Sequence, residues 1–489
     1  MKKLFFLFLL SLFIINGCSL LSIDPSKESE TLEFLDIFYV NDLHGAIEPS
    51  ERSIGMAAIG NFLIYQKDKH PDETIILAGG DMLQGSALSN DTYGASVIEM
   101  MNVMGFDAFV IGNHEFDWGL EKVTRYFDHS DDHIAEFPLL GANVFYKGTD
   151  SIPSGIDPYV IIERKDLKIG IIGTIEYGIE NTIAQQHIEA YTFADPGPIV
   201  TELTRYLRED EKVDIVILIT HDRGTINQDV VYNRHGEHLD AIFNGHSHQV
   251  YTRTENGIPV MQSGGYGSHV GHLRLELNHR EVMRFSMENL NRENEPRLNF
   301  IDLEIQTMIE SYYANLDDNY QIELLPPAKD ISRNELTEWI AKLMVVSTQA
   351  DIGFHNTGGT RQSLYANQDF NLFTIYDIWP FDNEILTFYL TGAELNLFLE
   401  TSRWQYYYAN YDTFIADELY KIVTHDFIYY RDSNMILRDG IGLEKTGVFI
   451  RDLAFDELKK QTEIYTTFDT TNPILTSPDS LHDQDAIHP

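Results

Sequence analysis

Side chains able to hold divalent metal ions recur at short spacings through the first half of the chain: Asp42 and His44, Asp81, Asn113 and His114, His221, then His246 and His248. Each group falls just past the carboxyl end of an apolar run of strand length, which is where sites gather in open α/β sheets. Asp, Asn and His without a thiolate suit Zn²⁺, Mn²⁺, Fe, Co or Mg²⁺ rather than a structural cysteine–zinc site. So many ligands are too many for one ion and about right for two. A carboxylate shared by two ions roughly 3.5–4 Å apart clamps both oxygens of an in-line displacement at phosphorus. Gly45, Gly79, Gly80, Gly112 and Gly245 allow tight turns that aim such groups at one point. Taken singly, Asp-x-His is as often a surface turn, and His221 reads as a core histidine. The recurrence after successive strands is what points to a site.

The elements that must position them follow from hydrophobic patterning. Strands are expected at 34–40, 74–78, 108–112, 167–173, 213–220 and 239–244, with helices at 95–104 and 196–208. This alternation predicts a layered α/β domain over 34–285. Runs at 258–262 and 271–277 look antiparallel or edge-like, so the sheets should be mixed. His269 and His272 beside them read as surface residues. Residues 286–329 turn polar, with a helix at 303–314 and a stop at Leu325-Pro326-Pro327, and read as a linker. A second, smaller α+β unit rich in Tyr and Phe is expected over 330–460, and a disordered tail over 461–489.

The chain has 489 residues and a net charge of -41. Such a surface repels phosphate backbones, which argues against nucleic-acid polymers as partners, and against adhesion to anionic membranes through a basic patch. An anionic substrate would need metal ions or a few buried arginines to overcome this field. One cysteine rules out an intramolecular disulfide framework. Lys2 and Lys3 precede a short apolar core, and Ile15-Asn16-Gly17-Cys18 resembles a bacterial lipobox. The expectation is a signal peptide over 1–17, lipidation of Cys18, a polar tether over 18–33 and an extracytoplasmic, lipid-anchored protein on the outer face of the bacterial cell membrane. The lipid would be its only membrane contact, and no protein partner is implied.

Asp42-Leu43-His44, Gly80-Asp81, Gly112-Asn113-His114-Glu115, His221 and Gly245-His246-Ser247-His248 together resemble the signature of the calcineurin-like metallophosphoesterases. The wider strings Asn41-Asp42-Leu43-His44-Gly45, Gly80-Asp81-Met82-Leu83-Gln84-Gly85-Ser86 and Gly112-Asn113-His114-Glu115-Phe116-Asp117 resemble the bacterial 5′-nucleotidase subgroup. The resemblance implies a four-layer αββα sandwich. It implies that Asp42, His44 and His248 hold one metal, that Asn113, His221 and His246 hold a second, and that Asp81 bridges them. His114 would assist phosphoryl transfer, with Asp117 orienting its imidazole.

In the second unit, Asn356-Thr357-Gly358-Gly359-Thr360-Arg361 and Trp379-Pro380-Phe381-Asp382-Asn383 resemble motifs of the 5′-nucleotidase C-terminal domain. Substrate contacts from Asn356, Gly358, Gly359 and Arg361 are implied, with Phe381 as one aromatic wall for the nucleobase. The family's Gly-Gly-Asp-Gly-aromatic string is missing. Tyr429 or Tyr430 is the candidate for the other wall, and Arg333 for an upstream phosphate-binding arginine. The implied reaction is metal-dependent hydrolysis of nucleoside 5′-monophosphates, with domain rotation about the linker helix. A nucleotide-sugar pyrophosphatase or cyclic-nucleotide phosphodiesterase is the alternative enzyme. A non-catalytic nucleotide-binding or adhesive surface lipoprotein is the alternative from another class.

Overall fold

The computed structural model describes residues 33–130, 134–224, 239–366, 368–401, 405–431 and 434–476. The expected signal peptide, Cys18 and nearly all of the tether lie outside the described residues. Among the described residues no helix is long and apolar enough to cross a membrane.

Fourteen strands make up the first part: β1 (Glu33–Val40), β2 (Thr74–Ala78), β3 (Ala108–Val110), β4 (Leu139–Leu140), β5 (Val144–Tyr146), β6 (Tyr159–Arg164), β7 (Leu167–Ile175), β8 (Tyr191–Phe193), β9 (Ile215–His221), β10 (Ala241–Asn244), β11 (Val250–Glu255), β12 (Ile258–Ser263), β13 (Val270–Asn278) and β14 (Glu281–Leu290). They form two six-stranded sheets, ordered β14-β13-β1-β2-β3-β4 and β11-β12-β10-β9-β7-β6, and a β5-β8 ribbon. The central pairs β1/β2, β2/β3, β7/β9 and β9/β10 are parallel, and the flanking pairs β6/β7, β11/β12 and β13/β14 antiparallel.

Strand pleating explains the layers. Leu35, Ile37 and Tyr39 of β1 meet Ile169, Ile217 and Phe243 of the other sheet in one core. The alternate residues Phe38 and Val40 face away, into a core with the helices Met56–Lys69, Ala95–Met104 and Leu303–Ala314. On the far side Val216 and Leu218 pack against Val200 and Leu207 of the helix Pro196–Glu209. Strands buried on both faces must be apolar almost throughout, as these are. The result is a four-layer αββα sandwich. The two strands expected to be antiparallel or edge-like are each antiparallel to a neighbour, β12 to β11 and β13 to β14, and both lie inside their sheets.

The second domain is built on a five-stranded sheet, ordered β17-β15-β18-β16-β19, from β15 (Ile352–Asn356), β16 (Glu384–Thr391), β17 (Gln405–Ala409), β18 (Leu419–His425) and β19 (Ile441–Phe449). The helix Arg333–Thr348 opens it with a capping box between Ser332 and Glu335. The helix Leu303–Ala314, expected within a linker, packs on the sandwich through Ile305 and Ile309.

Two expectations need correction. Residues 461–476 are not a disordered tail: Phe468 is 0% exposed and packs edge-on to Trp339, and the backbone amides of Leu475 and Thr476 donate to Glu457. A few buried anchors hold this stretch without any periodicity. His272 is not a plain surface residue either, since it stacks on Phe38 and bonds Asp36 at 2.7 Å.

Candidate metal centre and substrate cleft

The parallel strands of both sheets end at one place. Asp42 and His44 lie in the turn after β1, Asp81 after β2, Asn113 and His114 after β3, and His246 and His248 after β10, while His221 is the last residue of β9. Such abrupt turns need unusual backbone. Asp42, His44, Asp81, His246 and His248 all have positive φ, between 49° and 67°. Non-glycine residues seldom adopt that posture, and it clusters at functional sites. Gly112 gives the cluster room, because a Cβ there would lie 2.3 Å from Asp81 Oδ1.

The side chains converge. Asp81 Oδ2 lies 3.1 Å from His221 Nε2 and 4.0 Å from both His44 Nε2 and His114 Nε2. His248 Nε2 lies 3.4 Å from Asp42 Oδ1 and 3.0 Å from His44 Nε2. Asn113 Oδ1 stands 3.2 Å from His221 Nε2. Three groups have ligand atoms all within 4.8 Å of one another: Asp42 with His44 and His248, Asp81 with His221 and His246, and between them His44 with Asp81 and His114. His44 and His221 each turn Nδ1 to a backbone carbonyl, of Gln84 at 3.3 Å and Gly79 at 2.9 Å. That fixes the tautomer leaving Nε2 free to ligate. Oxygen and imidazole donors in two adjoining groups fit a pair of borderline divalent ions.

Above these side chains lies a cleft of about 450 Å³. Its metal-side wall includes Asp81, Asn113, His114, Asp117, His246 and His248; its opposite wall includes Asn356, Gly358, Gly359, Arg361 and Phe381. Phe381 stacks on His114, and the Arg361 guanidinium lies 5.6 Å from the centre of the Phe381 ring. Pro380, just before Phe381, has its carbonyl held by Gln84 Nε2 and Asn90 Nδ2 of the sandwich at 2.9 Å each, and by Arg451 at 3.0 Å.

Residues 35–250 match the family model for calcineurin-like phosphoesterases, and residues 326–415 that for the 5′-nucleotidase C-terminal domain. The chain carries a calcineurin-like phosphoesterase domain followed by a 5′-nucleotidase C-terminal domain. It is 23% identical over 421 residues to a trifunctional nucleotide phosphoesterase protein of Bacillus subtilis, a match covering 77% of this chain and 28% of that protein. It is 23% identical over 437 residues to a 5′-nucleotidase of Vibrio cholerae, covering 78% of this chain and 77% of that one. The chain thus spans 28% of the trifunctional protein's length, and 32% of that of an endonuclease of Bacillus subtilis to which it is also 23% identical. The solved 5′-nucleotidase precursor from Thermus thermophilus superposes with a TM-score of 0.75 at 19% identity, covering 88% of this chain and 97% of that one, and so shares its fold.

Within the phosphoesterase domain, His114 Nδ1 is 2.7 Å from Asp117 Oδ2. Burial pulls the His114 imidazole down, but the Asp117 and Asp81 carboxylates outweigh it and hold its pKa above the ordinary histidine value. Burial lowers His44 well below that value, and burial with the neighbouring His221 lowers His246 to about 3, whereas at His221 the Asp81 carboxylate outweighs burial and raises the imidazole to about 10. Glu115 emerges as the brace of the centre. Fully buried, it accepts from the backbone amides of Asp81 (2.9 Å), Met82 (3.0 Å) and Gly112 (2.8 Å), and so ties the turns after β2 and β3 together. Burial, then the charge of Asp81, pushes its carboxyl up to about 7. Its place in Gly112-Asn113-His114-Glu115 was the only sequence signal for it.

The nucleotidase C-terminal domain revises three candidates. Tyr429 is buried against Phe388, and Tyr430 packs on Tyr429; neither lines the cleft. Phe427 does, with Arg431. Arg333 does not reach the cleft either. It donates to the carbonyls of Thr360 (2.9 Å) and Thr357 (2.7 Å), bracing the loop that carries Arg361.

Proposed function

We propose that the chain is a dimetal phosphomonoesterase that hydrolyses nucleoside 5′-monophosphates to nucleoside and phosphate, acting outside the cytoplasm as a lipid-anchored protein. One observation carries the reading: a single cleft joins the Asp–His cluster and the His114–Asp117 pair to Arg361, Phe381 and Phe427. Asp42, His44 and His248 would hold one ion, Asn113, His221 and His246 the other, with Asp81 between them. Bound divalent ions supply Lewis-acid activation and neutralise charge developing at phosphorus.

The chain's own residues do the rest. Asp117 accepts the Nδ1 proton of His114 and helps to keep the imidazole charged, so a second proton, on Nε2, is available to the transferring phosphoryl group or the leaving oxygen. Arg361 offers a planar fork to an anionic group, which the strongly negative surface would otherwise repel. Phe381 and Phe427 provide apolar faces for a base. With the Phe381 ring only 5.4 Å from that of His114, a monoester whose base lies one sugar from the reacting oxygen fits better than a longer sugar nucleotide. The lipid-anchored location rests on the lipobox-like Ile15-Asn16-Gly17-Cys18.

The test is phosphate release by purified protein with excess Mn²⁺ or Zn²⁺ from AMP, a nucleotide sugar and a cyclic nucleotide. Release from AMP alone supports the proposal, and preference for either of the others replaces it. Binding of AMP without release would make the protein a nucleotide-capturing lipoprotein.

A further inference from the structure

Beneath the loop that begins at Asn356, two histidines lie side by side inside the second domain. His355 precedes the last residue of β15 and His425 ends β18; they are 1% and 0% exposed, with ring centroids 5.0 Å apart. The reaction above uses neither. His425 Nε2 lies 3.1 Å from Asn356 Oδ1, whereas its Nδ1 has no hydrogen-bond partner, Asp426 Oδ1 standing 3.9 Å away.

This asymmetry settles the proton. A tautomer with hydrogen on Nδ1 would bury an N–H with nothing to receive it. The Nε2–H tautomer donates to Asn356 and leaves only a bare lone pair, the lesser cost. The bond then sets the Asn356 carboxamide, with its oxygen inward and its NH₂ on the other side. The paired glycines frame this orientation. A Cβ on Gly359 would come 3.2 Å from Asn356 Oδ1 and 2.7 Å from His355 Cε1, and one on Gly358 would come 3.1 Å from Asn356 Nδ2. Burial, then His425, keeps His355 neutral, so no charge disturbs the arrangement.

We propose that His425 is a positioning residue: it turns Asn356 so that the carboxamide NH₂ faces the cleft, and this selects substrates presenting a hydrogen-bond acceptor there, on the sugar or the base of a nucleoside. The inference rests on the nucleotide reading of the cleft.

Binding of adenosine, which cannot be hydrolysed, to the metal-loaded full chain tests it by calorimetry. His425→Leu should weaken adenosine about tenfold, the equivalent of one lost hydrogen bond. His425→Gln keeps an N–H donor and should restore most of that affinity. For AMP, the Leu variant should raise KM with little change in kcat. Repeating the series with 2′,3′-dideoxyadenosine narrows the acceptor: if the Leu effect vanishes it is the 2′- or 3′-oxygen, and if it persists it is on the base or is one of the remaining sugar oxygens. Should His425→Leu not fold, Asn356→Asp, which keeps the bond to His425 but turns the donor into an acceptor, must weaken adenosine by a similar factor. Unchanged affinity in either variant overturns the inference while leaving the nucleotide reading intact. A wild-type protein that neither binds adenosine nor releases phosphate from AMP overturns both.

Discussion

The ring of Phe381 lies over that of His114, with centroids 5.4 Å apart and planes 24° from parallel. A residue of the second domain thus forms the roof of the reacting centre on the first. Base stacking on an aromatic side chain is worth about 1–3 kcal/mol. Phe381→Ala should therefore raise KM for AMP about tenfold or more, and KM for p-nitrophenyl phosphate far less. Equal rises would remove Phe381 from the base site.

His114 is bonded through Nδ1 to Asp117, and its Nε2 stands 4.0 Å from Asp81, beside the proposed ligands. Positioned acid–base groups contribute about 10²–10⁴-fold. His114→Ala should cost that much in kcat while elemental analysis still finds two ions per chain. A variant that loses metal would show His114 to be a ligand.

Asp81 Oδ2 lies 3.1 Å from His221 of one group and 4.0 Å from His44 of the other. Asp81→Ala should abolish turnover and lower metal content, and chelation of the wild type should do the same, with recovery on adding Mn²⁺ or Zn²⁺. Full metal occupancy in the Ala variant would place the bridge elsewhere.

The Pro380 carbonyl accepts from Gln84 and Asn90 across the domain boundary. Replacing both donors with Ala should loosen the contact that seats Phe381. Small-angle scattering should show a larger radius of gyration, and kcat/KM for AMP should fall. An unchanged radius would mean that other contacts hold the domains.

Asp36 is bonded by Arg274 and His272. Burial raises its carboxyl, but these partners prevail and hold it at about 2, below the ordinary 3.8. A depressed folded pKa stabilises above the unfolded value and is lost as pH falls through the folded one. Allowing for the exposure of Arg274, Asp36→Asn should cost about 1 kcal/mol at pH 6. The gap between variant and wild type should close between pH 4 and pH 2, read from denaturant midpoints. A constant gap would refute the assignment.

Much of this was legible in the residue order. The central strands are buried on both faces, so their apolar runs stood out, and polar residues just past each run marked the strand ends. The helix expected at 303–314 forms with those bounds, and Asp302 caps it, accepting from the amides of Glu304 and Ile305. What was not legible depends on pleat and distant packing. Phe427, rather than Tyr429 or Tyr430, lines the cleft because of how the chain turns after β18. Glu115 braces amides more than thirty residues away, a relation that only the folded sheet creates. Phe468 anchors residues that composition alone reads as loose.

Five residues of the metal cluster hold left-handed backbone, which for side chains other than glycine stores of order 1 kcal/mol each. Local comfort and useful chemistry are therefore opposed at these positions. Glycine in place of His248 would delete a proposed ligand yet relax the chain, so a search for heat-resistant variants conducted without an activity screen would drift towards inert protein. Conversely, cation binding supplies the reward that makes the tense turns worth keeping, so the loaded protein should outlast the stripped one by more than its unstrained parts would suggest.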